Sequence, residues 1–353
     1  MTQDRASDHD VRILPGDRTI HVPAGDNVLA AALSAGINLP HSCKSGHCAS
    51  CRALLLSGQI DYPHGHPVGL TPAEAAAGAV LLCQARALTD LVIEARRIRS
   101  VELAEIKTLP ARIARLERLG PDVMRLSLRL PAVEPLRFQA GQYLDILLDG
   151  GRRRSFSIAS PPHDADLIEL HVRLSPGGGF SEWLFREAQV GALLKVEGPI
   201  GQFIYQDSER PKLLVAGGTG FAPIKSILRH VLERRLPGMP RSARHLQVFW
   251  GARTFGDLYE LDLLAQWMAK HPELTVTPVL SDPPRSTSDQ PESRRYLHGV
   301  VHQAVLAAGL PLADFDIYAA GPPAMIDAIR TEFPVAGALV DHLYFDSFDY
   351  APR

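Results

Sequence analysis

Three of the four cysteines in this 353-residue chain lie close together, in the stretch HSCKSGHCASC at residues 41–51. The pattern is C-x4-C-x2-C with a distant fourth member, and its residues are Cys43, Cys48, Cys51 and Cys83. Four thiolates at this spacing hold a 2Fe-2S cluster, and the small residues between them let backbone N–H groups reach the sulfurs. A structural zinc site more often has two C-x2-C units, whereas this sequence has a single one, so zinc is the less favoured alternative. The spacing therefore predicts an electron-transferring 2Fe-2S cluster.

Three consecutive arginines lead into a strand-like segment, RRRSFSIAS at residues 152–160. Solvated basic residues at a sheet edge are the simple interpretation. The stretch HVRLSPGGGFSEWLF, at residues 171–185, favours another, because its glycines and the following helix can form a cradle of N–H groups for phosphate. Arg154 could pair with that pyrophosphate, while Phe156 stacks on an isoalloxazine ring and Ser157 meets its N5 edge. The candidate flavin-binding residues are Arg154, Ser155, Phe156, Ser157, His171, Val172, Gly178, Gly179, Phe180 and Ser181.

The segment KLLVAGGTGFAPIKSIL, at residues 212–228, has the order strand, glycine-rich turn and helix that a dinucleotide site needs. It departs from the standard fingerprint, because Pro223 stands where the third glycine belongs and the next strand ends in FWGAR without an acidic residue. A second turn, YAAGPPAMIDA at residues 318–328, favours a cleft at the carboxyl ends of a parallel sheet, although it could merely start a helix. The candidate nucleotide-binding residues are Gly218, Thr219, Gly220, Pro223, Gly251, Arg253, Gly321 and Pro322.

These motifs need elements that hold them in place. Residues 9–97 are predicted to form a small α+β unit that starts with a hairpin at VRIL and RTIHV. A helix over NVLAAALSAG is predicted to begin with Asp26 as its N-cap, and a second helix to begin with a capping box between Thr71 and Glu74. Residues 98–107 are predicted to be a linker.

The rest of the chain divides by its hydrophobic periodicity. Residues 108–207 are predicted to form an antiparallel β-barrel, because period-2 segments with Pro and Gly turns surround one helix, FSEWLFREA. Residues 208–341 alternate short apolar strands with helical segments, which predicts an α/β domain with a doubly wound parallel sheet. Residues 342–353 are predicted to be an aromatic C-terminal tail. The predicted fold class is therefore multidomain.

Composition restricts the partners and the compartment. The chain is 46% hydrophobic and 22% charged, and its formal net charge of −2 lacks the basic surplus that nucleic-acid binding needs. The N-terminus MTQDRASDHD has no apolar export signal, and no run of about 18 apolar residues occurs, so we expect neither export nor a membrane-spanning helix. We expect a cytoplasmic monomer, whose cysteines serve as ligands instead of forming disulfides.

Taken together, the motifs resemble those of the ferredoxin-type reductases, in which a plant-type ferredoxin of the β-grasp fold is joined to a flavin barrel and a ferredoxin–NADP-reductase-like nucleotide domain. The resemblance covers nearly the whole chain and rests on the cysteine pattern with RSFS, GGTGFAPIKSIL, WGAR and GPPAM. Within that group, RRRSFSIAS, GTGFAPIKSIL and VFWGAR are most similar to the CDP-6-deoxy-3,4-glucoseen reductases. Phenol hydroxylase reductases and other oxygenase reductases are less similar.

The resemblance implies a reductase that passes electrons from NADH through FAD and the 2Fe-2S cluster to a partner protein, either a dehydrase or an oxygenase component. It implies that Arg154 contacts an FAD phosphate and that Phe156 replaces a usual tyrosine against the flavin. The candidate catalytic residues are Ser157 near N5 and Phe348 as a cover over the flavin. Glycine-loop residues are placed at the pyrophosphate (Gly178, Gly179 and Ser181) and beside NAD(P)H (Gly218 to Gly220, Gly321 and Pro322).

Individual residues modify these expectations. Ala320 stands where the family usually has a cysteine beside the hydride path, which predicts a slower hydride step in an active enzyme. For Phe348, as for Phe345, a plain packing role is the alternative.

NADH is favoured over NADPH, because Arg253 offers one positive charge and Asp257 would repel a 2′-phosphate. A non-enzymatic redox sensor with a degenerate nucleotide domain is the remaining alternative, which the intact glycine-rich turns disfavour.

Overall fold

The computed structural model describes residues 7–37, 39–41, 44–46, 49, 51–95, 106–164, 166–234, 245–282 and 296–348. The chain divides into two compact units, Met1–Leu103 and Ala104–Arg353. The predicted fold class is confirmed, because a mixed α+β unit precedes a barrel-like antiparallel sheet and a parallel sheet. No helix in the described part of the chain has both the length and the apolarity needed to span a bilayer.

The first unit is built on a mixed sheet. Its elements are β1 (His9–Leu14), β2 (Arg18–Val22), α1 (Val28–Ser34), β3 (Arg52–Ser57), β4 (Ile60–Asp61), α2 (Pro72–Ala76), β5 (Ala79–Leu81), β6 (Arg86–Ala87) and β7 (Leu91–Ala95). The main sheet has the order β2-β1-β7-β3-β5, and β4 pairs with β6. The predicted hairpin is confirmed as β1 and β2, whose alternate apolar residues are buried in the core.

Helix α1 begins one residue later than predicted. Its N-cap is Asn27, whose side-chain oxygen accepts a hydrogen bond from the Ala30 N–H at 2.8 Å, so the prediction of Asp26 was wrong. Both residue types cap helices well, and their adjacent positions cannot be separated by sequence. The capping box of α2 is confirmed, since the Glu74 carboxylate accepts from the Thr71 N–H at 2.9 Å.

The second unit starts with an antiparallel barrel. Its elements are β8 (Lys107–Arg118), β9 (Val123–Arg129), β10 (Tyr143–Leu147), β11 (Arg153–Ser157), β12 (Ile168–Arg173), α3 (Gly179–Arg186) and β13 (Leu193–Ile200). The strand order is β11-β10-β13-β8-β9-β12, and a bridge between Ile158 and Leu170 links the two edge strands. β8 was not among the predicted strands, although its residues alternate between buried and exposed along much of its length.

A parallel sheet completes the second unit. Its elements are β14 (Lys212–Gly217), α4 (Phe221–Glu233), β15 (Leu246–Ala252), α5 (Leu261–Lys270), β16 (Leu274–Leu280), β17 (Leu297–His298), α6 (Val301–Ala307), β18 (Asp316–Gly321), α7 (Pro323–Val335) and β19 (Leu343–Ser347). The strand order is β17-β16-β15-β14-β18-β19. Every residue of β14 is buried, because apolar layers cover both faces of the sheet.

The C-terminal segment differs from the predicted tail. Residues 343–347 form β19, which pairs in parallel with β18 and so extends the sheet. Its alternating pattern LYFDS is short, and its pairing partner lies earlier in the chain, so the sequence alone did not show it. Helix α5 begins at Leu261, after a single 3-10 turn over Phe255–Asp257.

Candidate functional site

Two of the four candidate cluster ligands lie at the same end of the first sheet. The pairing of β3 with β5 brings Cys51, just before β3, close to the turn that carries Cys83, and the Leu82 N–H donates to the Cys51 carbonyl at 3.2 Å. Both cysteines are 3% exposed. The other two predicted ligands, Cys43 and Cys48, lie outside the described residues.

The loop before Cys51 has an unusual backbone. Lys44, Gly46 and Ala49 have φ angles of 57°, 83° and 54°, and left-handed residues of this kind turn N–H groups toward a concave side. The Gln84 side-chain amide donates to the carbonyls of Lys44 and Cys83, at 3.1 Å each. A Cβ at Gly46 would lie 2.9 Å from Gln84 Cγ. Gln84 thus joins the described part of this loop to the turn that carries Cys83, and this arrangement beside two buried thiols fits a 2Fe-2S cluster.

Strand β11 presents its two candidate serines on one face. The Ser157 hydroxyl donates to the Asp346 carboxylate at 3.0 Å, and the Ser155 hydroxyl donates to the Asp145 carboxylate at 2.5 Å. Ser157 is buried, whereas Ser155 is exposed. Asp346 was not among the residues predicted from the sequence, where its signal is an acidic residue directly after the apolar run LYF.

The remaining flavin candidates surround the start of α3. The Phe156 ring lies 5.5 Å from the Phe180 ring, so β11 and α3 are in contact. Arg154 is half-buried, and its Nη1 donates to the carbonyl of the preceding residue at 2.9 Å. Gly178 is the N-cap of α3, and a Cβ there would approach the Ser175 carbonyl to 2.9 Å. The structure therefore brings the arginine strand and the glycine-rich loop to one end of the barrel core.

The glycine-rich loop leaves a space that the protein does not fill. No side chain caps α3, and a Cβ built at Gly179 meets nothing within 4 Å. The N–H groups of a first helical turn lack intrahelical partners and favour an anion. The Gly177 N–H is engaged by the Glu182 carboxylate at 3.0 Å, and the Ser181 hydroxyl accepts from the Ser175 N–H at 3.1 Å. The open space at Gly179 fits a cofactor phosphate.

His171 and Val172 on β12 direct their side chains into packed surroundings. Val172 is fully buried in the barrel core. His171 Nε2 lies 2.7 Å from a Glu169 carboxylate oxygen, and its Nδ1 lies 3.0 Å from the Tyr259 hydroxyl. Any contact of these two residues with a cofactor would use their backbone, and that role stays a prediction.

The predicted nucleotide turn packs tightly against β18. A Cβ at Gly220 would lie 2.0 Å from the Ala320 carbonyl oxygen, and one at Gly217 would lie 2.8 Å from Met325 Sδ. Gly218 has a φ of 55°, and its carbonyl accepts a hydrogen bond from Trp250 Nε1 at 3.0 Å. A turn with two glycines, ahead of a long helix, lets a dinucleotide phosphate approach the backbone closely.

Other nucleotide candidates lie at the same edge of the sheet. Gly217 pairs with Gly251 at the end of β15, and Gly321 pairs with Ser347 at the end of β19. A Cβ at Gly251 would lie 2.8 Å from the Cβ of a valine in α6. Pro322 is the N-cap of α7. The half-buried Thr219 and the buried Pro223 belong to the turn and to the first turn of α4.

The two residues expected to select the nucleotide, Arg253 and Asp257, each have a different partner. Arg253 is 78% exposed on its side chain, and its Nη2 lies 3.2 Å from the Asp282 carboxylate. Asp257 is engaged in a capping box, where it accepts from the Thr254 N–H at 2.9 Å and from the Thr254 hydroxyl at 2.8 Å. The carboxylate beside Arg253 is therefore that of Asp282. The sequence analysis had assigned the repulsion of a 2′-phosphate to Asp257.

The C-terminal strand ends beside the second glycine turn. The Phe348 N–H donates to the Gly321 carbonyl at 3.0 Å, and Phe348 is half-buried. Ala320, where the resemblance implied a cysteine in other members, is fully buried. These positions agree with a site at the carboxyl edge of the sheet, and the cover function of Phe348 stays a prediction.

Arg173 is a further candidate site residue, which the sequence analysis missed. It ends β12, and its Nη2 would lie 3.7 Å from a Cβ at Gly218 in the nucleotide turn. Its Nη1 lies 3.4 Å from the Asp122 carboxylate, while Nε and Nη2 are buried without a hydrogen-bond partner in the described structure. Unsatisfied guanidinium donors beside a glycine turn fit an anionic nucleotide. The signal was its place just before the glycines in HVRLSPGGG.

Three family models match the chain in sequence order. They are a 2Fe-2S iron-sulfur cluster binding domain at residues 11–88, an oxidoreductase FAD-binding domain at residues 110–205 and an oxidoreductase NAD-binding domain at residues 214–331. The predicted cofactors, a 2Fe-2S cluster, FAD and NADH, are confirmed by these matches, as is the prediction of an oxidoreductase.

Individual proteins resemble the chain over most of its length. CDP-6-deoxy-L-threo-D-glycero-4-hexulose-3-dehydrase reductase of Yersinia pestis is 35% identical over 321 residues, 91% of this chain and 92% of that protein. Terephthalate 1,2-dioxygenase reductase component 1 of a Comamonas species is 35% identical over 347 residues, 98% of each chain. The crystal structure of the Amycolatopsis cytochrome P450 reductase GcoB is similar with a TM-score of 0.75 and 30% identity, covering 98% of this chain and all of that one.

Proposed function

This chain belongs to the family of ferredoxin-type, NAD(P)H-dependent flavoprotein reductases, and on that premise we propose that it passes electrons from NADH to a dehydrase-type partner protein. FAD, when bound, would supply the exchange between the two-electron hydride chemistry of a nicotinamide and the one-electron chemistry of a 2Fe-2S cluster. The chain's own residues bind, orient and enclose these groups.

The observation that carries this proposal is the meeting of the nucleotide turn with the flavin-side strands. Arg173 on β12 reaches the turn at Gly218, and Ser157 on β11 bonds to Asp346 on β19. Both links join the barrel to the carboxyl edge of the parallel sheet, where open α/β sheets bind their ligands. A nicotinamide held by the turn would therefore face a flavin held by the barrel.

Individual residues have separate tasks in this arrangement. The open space at Gly179 and the N-terminus of α3 accept the FAD phosphates, with Arg154 as their cationic partner. The glycine turn and Arg173 accept the phosphates of NADH. Ser157, oriented by Asp346, holds a proton at its Oγ next to the flavin edge. The buried thiols Cys51 and Cys83 contribute two ligands of the cluster.

The test is an anaerobic visible spectrum of the purified protein before and after one equivalent of NADH. We expect flavin and iron-sulfur absorption that both bleach, followed by NADH-dependent reduction of cytochrome c or ferricyanide. Cluster absorption without a flavin band, or a spectrum that NADH leaves unchanged, would favour a redox sensor or a simple electron carrier instead.

The terminal acceptor has a second candidate, an oxygenase component. The likeness to the terephthalate dioxygenase reductase is as high in identity as the likeness to the dehydrase reductase and covers slightly more of the chain. The two are separated by adding purified dehydrase or oxygenase components to the reduced protein and measuring cluster reoxidation without oxygen. A dehydrase component that accelerates reoxidation while the oxygenase component does not supports the first proposal, and the reverse result replaces it.

A further inference from the structure

Helix α4, which starts at the nucleotide turn, is bonded along one side to the barrel. Residues 225, 229 and 233 recur every four positions, so they share a face of the helix. The contacts are Lys225 Nζ to Glu169 Oε1 at 2.7 Å, Ser226 Oγ to the Ser160 carbonyl at 2.7 Å, Arg229 Nη2 to Asp164 Oδ2 at 3.0 Å and Glu233 Oε2 to His163 Nε2 at 2.8 Å. These contacts attach the helix to the segment between β11 and β12 and to the first part of β12.

The first of these contacts belongs to a buried ionic network. Lys225 Nζ lies 2.7 Å from Glu169 Oε1 of the barrel and 2.8 Å from Glu260 Oε1 of the nucleotide domain. Arg125 of β9 also bonds to Glu260, and its Nε lies 3.3 Å from Glu169. The side chains of Lys225 and Glu260 are 4% and 3% exposed. Two cations and two carboxylates thus balance each other across the boundary between the two domains.

The two carboxylates remain charged in this setting. Burial alone would raise the pKa of Glu169, but the hydrogen bond from His171 and the charge of Lys225 lower it below its ordinary value. The pKa of Glu260 is also lowered, because its interactions with His171 and Lys225 outweigh its burial. Glu169, His171 and Glu260 lie close enough together to hold a metal ion. The Lys225 ammonium already supplies the cation between the two carboxylates.

The network continues into the nucleotide turn itself. His171, bonded to Glu169, lies 3.0 Å through its Nδ1 from the Tyr259 hydroxyl. The Tyr259 ring packs edge-on against Trp250 at 5.2 Å, and Trp250 donates to the Gly218 carbonyl at 3.0 Å. The ionic network and the turn are therefore connected by direct contacts on two routes, along α4 and through these aromatic side chains.

We propose that Lys225 is a positioning residue for hydride transfer, which fixes the nucleotide turn against the flavin strand through its paired bonds to Glu169 and Glu260. This inference rests on the proposed function. Reacting groups misplaced by about 1 Å can lose about 100-fold in rate. An ion pair that spans the domain boundary next to the turn controls that placement. The more exposed pairs at Arg229 and Glu233 contribute little to the free energy that holds the two domains together.

The test is the variant Lys225→Met, compared with the wild type in anaerobic stopped-flow experiments with NADH. We expect the limiting rate of flavin reduction to fall at least tenfold, while the Kd for NADH changes less than threefold and the FAD content is unchanged. Glu233→Gln should change the rate less than twofold. If Lys225→Met does not fold, Glu169→Gln removes one charge of the same network with little change in shape, and the same result is expected.

Lys212→Met is the matched control, because it removes another buried lysine from the same domain. Lys212 is fully buried and lies 3.0 Å from the Asp316 carboxylate at the opposite end of the sheet. We expect it to lower the thermal unfolding midpoint but to keep the limiting rate of flavin reduction within twofold. An equal slowing in both lysine variants, or a wild-type rate in Lys225→Met, would overturn the positioning role.

A second readout does not depend on NADH chemistry. Hydrogen–deuterium exchange without nucleotide should be faster in Lys225→Met than in the wild type over residues 166–173 and 213–221, and unchanged in Glu233→Gln. If exchange is unchanged in Lys225→Met, the positioning role of Lys225 is refuted, even if NADH reduces the flavin of the wild-type protein normally. A wild-type protein that NADH does not reduce, but whose exchange responds to Lys225→Met, would instead refute the proposed function and leave the domain link supported.

Discussion

The hydroxyl of Ser157 donates a hydrogen bond to the carboxylate of Asp346 at 3.0 Å, although the two residues lie 189 positions apart. Ser157 ends strand β11 of the barrel, and Asp346 lies in β19 of the parallel sheet. Both residues are buried. A hydroxyl held in one orientation by a carboxylate can keep a proton at a defined place, here beside the proposed flavin edge.

Replacing Asp346 with asparagine should slow flavin reduction. A hydrogen bond to a charged group contributes about 1.5–3 kcal/mol, and each 1.4 kcal/mol is about tenfold in rate, so we expect a loss of about 10- to 100-fold. Ser157→Ala should have a similar effect, and the double variant should be little slower than either single one, because the two side chains act as a pair. Stopped-flow flavin reduction at saturating NADH measures all three.

Ser127→Ala is the control for this pair. Ser127 and Ser157 are both 6% exposed, and Ser127 lies in β9 outside the proposed site. The control should reduce its flavin at the wild-type rate. Additive losses in the double variant would show that Ser157 and Asp346 act independently.

Gly179→Ala should weaken FAD binding without destabilising the apoprotein. The protein leaves the Cβ position open, and alanine is favoured over glycine within a helix by about 0.5–1 kcal/mol. The methyl group would occupy the space assigned to a phosphate, and overpacking of this kind costs about 1–3 kcal/mol, or about 5- to 100-fold in the Kd for FAD. Titration of the apoprotein with FAD and its thermal unfolding midpoint give the two quantities.

Gly220→Ala provides the contrast. Its Cβ would lie 2.0 Å from the Ala320 carbonyl oxygen, so backbone must move and the apoprotein itself should lose stability by about 1–3 kcal/mol or more. If Gly179→Ala destabilised the apoprotein to the same degree, glycine at 179 would serve the fold and the phosphate assignment would fail.

Asp282→Asn should improve the use of NADPH. The Asp282 carboxylate lies 3.2 Å from Arg253, and both side chains are exposed, at 43% and 78%. Exposed ion pairs contribute about 0.2–1 kcal/mol, so releasing Arg253 for a 2′-phosphate should lower the KM for NADPH by at most about fivefold. The KM for NADH should stay the same. Steady-state kinetics with both nucleotides measure the change.

Asp257→Asn distinguishes the structural assignment from the one made on sequence. Asp257 caps the turn through Thr254, so its replacement should loosen that turn and leave the nucleotide preference unchanged. A gain for NADPH in Asp257→Asn, with none in Asp282→Asn, would restore the original assignment.

The stability of the second unit should fall between pH 6.5 and about 4 because of His230. Burial and the charges of Arg234 and His163 lower the pKa of His230 from 6.5 to about 4, and its Nδ1 is buried without a partner in the described structure. In this range the unfolded chain binds more protons than the folded chain, so acidification favours unfolding.

His230→Leu should remove part of this acid sensitivity. Trp183, Trp250 and Trp267 are the tryptophans of the chain and all belong to the second unit, so their fluorescence reports on that unit. The unfolding midpoint in denaturant should fall less steeply from pH 7 to 4.5 in the variant than in the wild type. Parallel pH curves would contradict the assignment.

The sequence determined the features whose signals are local. The cysteine spacing predicted the cluster, and the continuous apolar runs predicted a buried parallel sheet, since strands covered on both faces need no polar alternation. The phosphate sites at the glycine turns stay a prediction. The Thr71–Glu74 box followed from residues three positions apart. Where two adjacent residues could both cap a helix, as Asp26 and Asn27 can, the sequence predicted the wrong one as the N-cap.

Only the tertiary structure decided which distant side chains complete the site. Lys225 and Glu169 are 56 positions apart, and Ser157 and Asp346 are 189. In the sequence, Lys225 is a helical lysine and Asp346 an acid in a short strand, with nothing nearby to mark a partner. Their proposed roles follow because chain folding buries both charges against specific groups of another domain, and a buried charge needs such a partner to offset its lost hydration. That pairing depends on how two domains pack, which no local pattern of residues encodes.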